Sequence, residues 1–367
     1  MLIPFKLVPR PEPSLRMQFI VPLIVVIATL IAGLAIFMLL GVDPQIAFKA
    51  YFIEPLSSVY GISEWLLKAL PLCLIGLGLA VAYRAQVWNI GAEGQLVMGG
   101  IFATAVMVYA QNSITSGALV VLMILAGIVG GMVWAGLAAW MRTQFNANEI
   151  LTTLMLVYVA QSLLQYLLVG TVDNTAPLQD PMGAGFPQSQ MFPAHATLPL
   201  LGQWLPALET TRLHVGVLLI LLAVPLMWLF VKRSFIGFQM TVAGLAPKAA
   251  NYAGFKTNRL IWLALLISGG LAGLAGALEV AGPVGQLQES WRPGYGFTAI
   301  IVAFLGRLHP IGVLLGALLM ALLTLGGEAL QISMSLPQSV SMLFQGLLLL
   351  FLLSADVLVN YRIVWKK

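Results

Sequence analysis

Apolar residues in this chain come in long unbroken runs joined by short polar stretches, without the strict alternation of a half-buried strand. The runs lie at about residues 18–40, 65–83, 95–110, 118–141, 149–169, 214–231, 260–281, 297–306, 311–327 and 339–357. One bilayer crossing needs about 20 apolar residues in helical form, because lipid offers no partner to an unpaired backbone amide. The pattern predicts an all-α integral membrane protein of about ten transmembrane helices. It excludes a transmembrane barrel, whose strands would alternate apolar and polar positions. The run 297–306 is short: at about 1.5 Å per residue it crosses only half a membrane. It either extends back through Tyr295 and Gly296 or is re-entrant.

The polar joints carry the information. Residues 84–97 read RAQVWNIGAEGQLV, between two apolar runs. Asn89, Glu93 and Gln95 cannot face lipid and are predicted to face a protein cavity or water, while Gly91 and Gly94 permit irregular or close-packed backbone. Glu93 is expected to accept hydrogen bonds from Arg84 or from the exposed amides at the start of the third helix, where a carboxylate is favoured. Two readings stand for this cluster: an internal cap and packing joint, or direct contact with a solute. A second break, rich in Gly and Pro, falls at 282–296. Trp88, Trp291, Tyr295 and Phe297 flank the two breaks. Their flat faces suit a heterocycle, although an interfacial aromatic belt is the commoner reason for tryptophan and tyrosine at span ends.

Two longer soluble stretches remain. Residues 170–213 hold prolines, glycines, Asp173, Asp180 and Glu209, the marks of an irregular loop. Residues 232–259, KRSFIGFQMTVAGLAPKAANYAGFKTNR, carry five cationic residues and no acidic one. Within them PKAANYAG predicts a short helix with Pro247 in its first turn and Gly254 as its stop. It either docks on a partner or rests as a basic loop on anionic lipid. The seventh run, ISGGLAGLAGALEVAG, sets Gly269, Gly273 and Ala277 four apart, a small-residue face for close helix packing. Glu279, near its outer end, is at the interface or lines a pathway exit.

Composition agrees with the pattern: 60% of the 367 residues are hydrophobic and 8% charged. The net charge of +5 is scattered along the chain, so it argues for the positive-inside rule and against nucleic acid. With the N-terminus inside, ten crossings put Lys6, Arg10, Arg16, Arg84, Arg142, Lys232, Arg233, Lys248, Lys256, Arg259, Arg307, Arg362, Lys366 and Lys367 in the cytoplasm. Only Lys49, Lys68, Arg212 and Arg292 fall outside. Both termini are then cytoplasmic, residues 1–17 being an uncleaved tail. The one cysteine, Cys73, lies in an apolar run and forms no disulfide within the chain.

Four blocks carry a family likeness: AYRAQVWNIGAEGQLVMGG at 82–100, NEILTTLMLVYVA at 148–160, FIGFQMTVAGLAPKAANYAG at 235–254 and GFTAIIVAFLGRLHPIG at 296–312. Together they resemble the permease subunits of bacterial ABC importers in the branched-chain amino acid and simple sugar superfamily, and most the nucleoside and purine branch. The resemblance implies a single permease domain over 1–367, built as two inverted repeats with broken helices and lying in the bacterial inner membrane. It implies three kinds of partner besides lipid: a cytoplasmic ABC ATPase, which holds ATP and Mg²⁺, a second and different permease chain, and a periplasmic lipoprotein or soluble substrate-binding protein. No cofactor is expected in this chain. The breaks at 84–94 and 282–296 are related as inverted repeats would relate them.

By the same resemblance 170–213 is a periplasmic loop and 232–259 a cytoplasmic coupling loop. Gly244, Pro247, Ala249, Ala250, Tyr252 and Gly254 are then its ATPase-docking surface, with Tyr252 as an aromatic anchor. Asn89, Glu93, Gln95, Trp88, Trp291 and Phe297 are the candidate substrate-pathway residues. Two departures stand out. Thr241, Val242, Ala243 and Gly244 replace a common Arg-Ala-Val-Gly run, which loses a cation, and Val157 replaces a frequent asparagine, which loses a polar pathway group.

No catalytic or metal-binding pattern is present: His195, His214 and His309 share no metal spacing, and there is no HExxH, GxSxG or GxxxxGK[ST]. The chain is not expected to be an enzyme, and any ATP hydrolysis belongs to another subunit. An ion-coupled secondary transporter is the alternative reading. It would place ionisable groups at mid-span, whereas Glu93 and Glu149 read as near inner ends and Glu279 and Glu328 as near outer ends.

Overall fold

The structure is a computed structural model describing residues 5–10, 15–170, 176–183, 185–291, 293–337 and 339–365. Asp173, Arg292, Lys366 and Lys367 lie outside the described residues. In chain order the elements are β1 (Phe5–Pro9), α1 (Leu15–Leu39), α2 (Pro44–Phe48), α3 (Val59–Arg84), α4 (Ala92–Ala110), α5 (Ala118–Phe145), α6 (Glu149–Leu168), α7 (Leu218–Arg233), α8 (Phe235–Leu245), α9 (Pro247–Tyr252), α10 (Thr257–Glu279), α11 (Tyr295–Leu305), α12 (Pro310–Met334), α13 (Ser339–Asn360) and β2 (Tyr361–Trp365). Among the described residues, nine helices are long and apolar enough to cross a membrane, and α8 and α11 are shorter apolar helices.

Local chemistry sets the joints. α5 stops where Asn146 turns left-handed at φ +52°. Two residues on, the Asn148 side chain accepts the Ile150 amide at 2.9 Å and starts α6. Ser234 does the same for α8, its hydroxyl oxygen accepting the Gly237 amide at 2.9 Å. Such caps satisfy amides that the first helical turn leaves unpaired.

The chain forms two compact units, one of Met1–Ile62 with Leu319–Lys367 and the other of Ser63–Leu318. In the first unit β1 and β2 pair antiparallel, Phe5 opposite Trp365 and Pro9 opposite Tyr361, a two-stranded ribbon that the apolar pattern does not predict. Its core is aromatic. Tyr51 stacks on Phe344 with ring centres 5.0 Å apart, and the Tyr51 hydroxyl donates to the Leu323 carbonyl at 2.6 Å.

The second unit is built on α4, α5 and α10, which approach through glycine. A Cβ on Gly273 would lie 2.2 Å from the Gly127 carbonyl oxygen, one on Gly131 2.1 Å from that of Gly269, and one on Gly99 2.3 Å from that of Gly273. The small-residue stripe of α10 is therefore the packing face the sequence predicts. With no hydrophobic drive between helices in lipid, this close van der Waals fit holds them.

This unit has two ends. One carries α8, α9, the end of α3 and the turn 306–309; the other carries the 176–214 segment and the end of α10. The 176–214 segment lies along the chain that leaves α10: the amides of Ser189, Phe192 and Leu198 donate to the carbonyls of Leu287, Gly285 and Ala281, each at 2.8 Å. Residues 285–308 then run from that end to the α9 end, where Arg84 holds the Leu308 carbonyl. The extension back to Tyr295 is present: α11 runs Tyr295–Leu305, about 16 Å at 1.5 Å per residue.

Candidate functional site

After α3 the chain reverses within a few residues. Gln86 takes a left-handed φ of +54°, the Val87 amide returns to the Ala82 carbonyl at 3.0 Å, and residues 87–91 run to the start of α4. The Asn89 amide group then makes four hydrogen bonds to three residues. Its Nδ2 donates to Gln95 Oε1 at 2.8 Å and to Ser268 Oγ at 2.9 Å, while its Oδ1 accepts from Gln95 Nε2 and the Gly91 amide, each at 3.1 Å. Asn89, Gln95 and Ser268 are at most 2% exposed. They form a sealed hydrogen-bonded joint between the α3–α4 turn and the middle of α10.

Glu93, 1% exposed, accepts the Gly294 amide at 2.8 Å and the Gly296 amide at 2.7 Å. Its partners are thus neither Arg84 nor its own helix. The carboxylate caps the broken start of α11, where unpaired amides and the helix dipole favour negative charge. Gly296 has no side chain because there is no room for one: a Cβ there would lie 2.2 Å from the Glu93 nitrogen. Arg84 instead donates through Nε at 3.0 Å and Nη2 at 2.9 Å to the Leu308 carbonyl. Both ends of α11 are therefore held, one by α4 and the other by α3.

Around this frame lie the aromatic candidates. Trp88 is half-buried and stacks on Phe304 at 6.1 Å, with Tyr83 completing the cluster at 5.1 Å from Trp88 and 5.4 Å from Phe304. Trp291 is buried against Gly100. Phe297 is 41% exposed. Glu149 accepts from Arg142 and from the Trp88 amide, tying α5 and α6 to the α3–α4 turn. Val157 is buried against Gly94, with its Cα 2.9 Å from where a Cβ would stand, so at this position helix packing occupies the space.

The short helix read from PKAANYAG is α9, with Pro247 in its first turn and Gly254 after it at φ +79°. Pro247, Ala249, Tyr252 and Gly254 are exposed, Tyr252 to 95%. The other two candidates face inward: Ala250 is buried, and a Cβ on Gly244 would lie 2.3 Å from the Arg84 carbonyl oxygen. Thr241, standing where a cation is common, donates its hydroxyl to the Gly237 carbonyl at 2.9 Å within α8. In the 306–309 turn beside α8, burial, with Lys232 and Arg84 adding to it, pushes the His309 pKa below the usual histidine range.

A second polar cluster, at the other end, was not assembled by the sequence. Arg212 grips both oxygens of Glu64, at 3.0 and 2.6 Å. Nearby, Glu279 of α10 is hydrogen-bonded by the Tyr295 side chain and feels the charges of Lys68, Arg212 and Glu64. The available signal was the four-residue spacing of Glu64 and Lys68, which puts both on one helix face. Among the described residues, no group of three His, Cys, Asp or Glu side chains is arranged to hold a metal.

A bundle of close-packed apolar helices, with a broken helix whose start and end are held by buried polar contacts, defines a helical membrane permease. Residues 61–353 match the family described as branched-chain amino acid transport system / permease component, and the chain belongs to that family. It is similar to the glucose ABC transporter permease protein TsgB13 of Haloferax volcanii, 36% identical over 99% of this chain and 94% of that one. It is also similar to the guanosine ABC transporter permease protein NupP of Bacillus subtilis, 29% identical over 92% of this chain and 94% of that one. The nucleoside ABC transporter permease protein NupB of Lactococcus lactis is 27% identical over 85% of each chain. Among solved structures, a metal-chelate type ABC transporter in an inward-facing conformation matches with a TM-score of 0.46 and 17% identity, over 93% of this chain and 99% of that one.

Proposed function

We infer that this chain is the permease subunit of an ATP-driven importer that carries nucleosides or simple sugars across the bacterial inner membrane. The substrate class follows the relatives named for glucose, guanosine and nucleosides. In this reading the α9 end faces the cytoplasm and the 176–214 segment faces the periplasm, with both chain termini cytoplasmic. Arg84, Arg142, Lys232, Arg233, Lys248, Lys256, Arg259 and Arg307 at the α9 end support that orientation by the positive-inside rule. The partners are a cytoplasmic ABC ATPase holding ATP and Mg²⁺, a second permease chain of different sequence, and a periplasmic lipoprotein or soluble substrate-binding protein.

The observation that carries the reading is the linkage behind α9. An exposed helix tip, with Tyr252 as its anchor, continues back into α8, whose Gly244 lies against the Arg84 carbonyl. Arg84 holds Leu308 at the end of α11, and the start of α11 rests on Glu93. A push on α9 by a closing ATPase dimer therefore reaches α3, α11 and α4 through consecutive contacts. The candidate pathway residues divide within this mechanism: Asn89, Glu93 and Gln95 act as the joint about which the helices move, and exposed Phe297 and half-buried Trp88 remain the candidates for solute contact.

Uptake into proteoliposomes holding the complete transporter tests the reading. Transport lost on removing ATP and retained on collapsing the proton gradient is the expected result. The reverse would establish the ion-coupled alternative.

A further inference from the structure

The two polar clusters of the second unit differ in access. Asn89, Glu93, Gln95 and Ser268 are sealed and hydrogen-bonded to one another or to backbone. Lys68, Glu279 and Tyr295 are each partly exposed. A solute that displaced the first set would leave buried groups unpaired, whereas it can meet the second without breaking the fold.

Position strengthens the contrast. Lys68 is nine residues from the start of α3, about 13 Å along its axis, and Glu279 is five residues from the end of the apolar stretch Thr257–Val284, about 7 Å. Ionisable side chains at such depth are costly and are found where a bundle meets a polar pathway. Arg212 answers the Glu64 charge with two hydrogen bonds, and Lys68 and Tyr295 both act on Glu279. Tyr295, which bonds Glu279, is the first residue of α11 and lies between Gly294 and Gly296, the two amides that Glu93 caps. A ligand on Glu279 and Tyr295 therefore pulls on the same helical turn that the linkage from α9 ends on.

We propose that Lys68, Glu279 and Tyr295 form the solute subsite at the periplasmic end of the pathway, and that it takes a neutral ligand through vicinal hydroxyl groups, such as the ribose of a nucleoside or the ring of a simple sugar. The proposal rests on the permease reading above. Each hydroxyl of a diol both donates and accepts, so the pair donates to the Glu279 carboxylate and to the Tyr295 oxygen, whose own proton is on Glu279, and accepts from the Lys68 ammonium.

The test is uptake by the complete transporter with its substrate-binding protein saturated, which removes that protein's own selection. Guanosine is compared with 2′-deoxyguanosine, and glucose with 2-deoxyglucose. The wild type is expected to move the hydroxylated member several-fold faster. Glu279→Gln should lower that rate about tenfold and bring the ratio near one, and Tyr295→Phe should reduce the ratio by a smaller factor. Both variants should still assemble with the ATPase, as read by co-purification. An unchanged ratio in a folded Glu279→Gln complex overturns the subsite. Should that variant fail to assemble, an unchanged ratio in Tyr295→Phe does so. A wild type that moves none of the four solutes with ATP overturns the nucleoside-or-sugar reading on which the subsite rests.

Discussion

Gly296 and Glu93 touch through their backbones, and the Glu93 carboxylate reaches back to accept the Gly296 amide at 2.7 Å. Gly296→Ala must force these two helix starts apart. Overpacking of this kind costs about 1–3 kcal/mol or more, and the melting temperature of the detergent-purified protein should fall accordingly. Gly346→Ala is the control. That helical glycine has nothing within 4 Å of a Cβ, and the change should be neutral or slightly stabilising.

Removing the cap should cost as much. Glu93→Ala leaves the Gly294 and Gly296 amides buried without an acceptor, a penalty of about 1–3 kcal/mol for each group. Glu93→Gln keeps one acceptor oxygen and turns an amide group toward the other N–H. Thermal unfolding should rank wild type above Gln and Gln above Ala.

Arg84 holds Leu308 with two donors of one guanidinium. Arg84→Lys keeps the charge and loses the fork. A charged hydrogen bond is worth about 1.5–3 kcal/mol, so uptake per ATP hydrolysed should drop about tenfold while the complex stays assembled. Parallel assays of phosphate release and solute uptake read this ratio directly.

His214 gives a pH dependence with a definite sign. It is buried, its Nδ1 accepts the Gly216 amide at 3.1 Å, and burial lowers its pKa to about 4 from an ordinary 6.5. Since the folded pKa lies below the unfolded one, the neutral side chain stabilises the fold above pH 6.5. That contribution is lost as pH falls through about 4, and amounts to on the order of 3 kcal/mol. His214→Asn keeps an acceptor for the Gly216 amide and does not titrate. Melting curves between pH 4 and 7 should be flatter for the variant than for the wild type.

The helices were legible in the sequence because apolar length alone forces them, and α9 was legible because Pro247 and Gly254 mark its two ends. The polarity of Asn89, Glu93 and Gln95 announced a joint. What it joined did not follow, since Gly294 stands 201 residues from Glu93 and no local rule favours it over Arg84 or the start of α4. The cluster at the opposite end was hidden for a similar reason. Glu64 and Lys68 stand at the start of the apolar run, and their partners Arg212 and Glu279 lie far along the chain, so no local rule brings them together. The terminal ribbon is short, and its partners lie at opposite ends of the chain, beyond the reach of periodicity.

The docking surface can be reached with two substitutions. Gly254 at φ +79° cannot be replaced by proline, whose ring fixes φ near −65°, so Gly254→Pro should break the turn after α9. Tyr252→Ala removes the exposed anchor. Both should lower ATPase binding and uptake while leaving the protein inserted, as read by co-purification from membranes.

Cross-linking tests the central claim most directly. Cys73 is the chain's one cysteine and is buried, so Tyr252→Cys supplies a single accessible thiol at the α9 tip, and Met182→Cys, at a residue 92% exposed, supplies one at the opposite end. With a thiol-to-amine cross-linker in intact membranes, Tyr252→Cys should join this chain to the ATP-hydrolysing subunit and Met182→Cys should not. A product formed from Met182→Cys and absent from Tyr252→Cys would contradict the coupling role of α9.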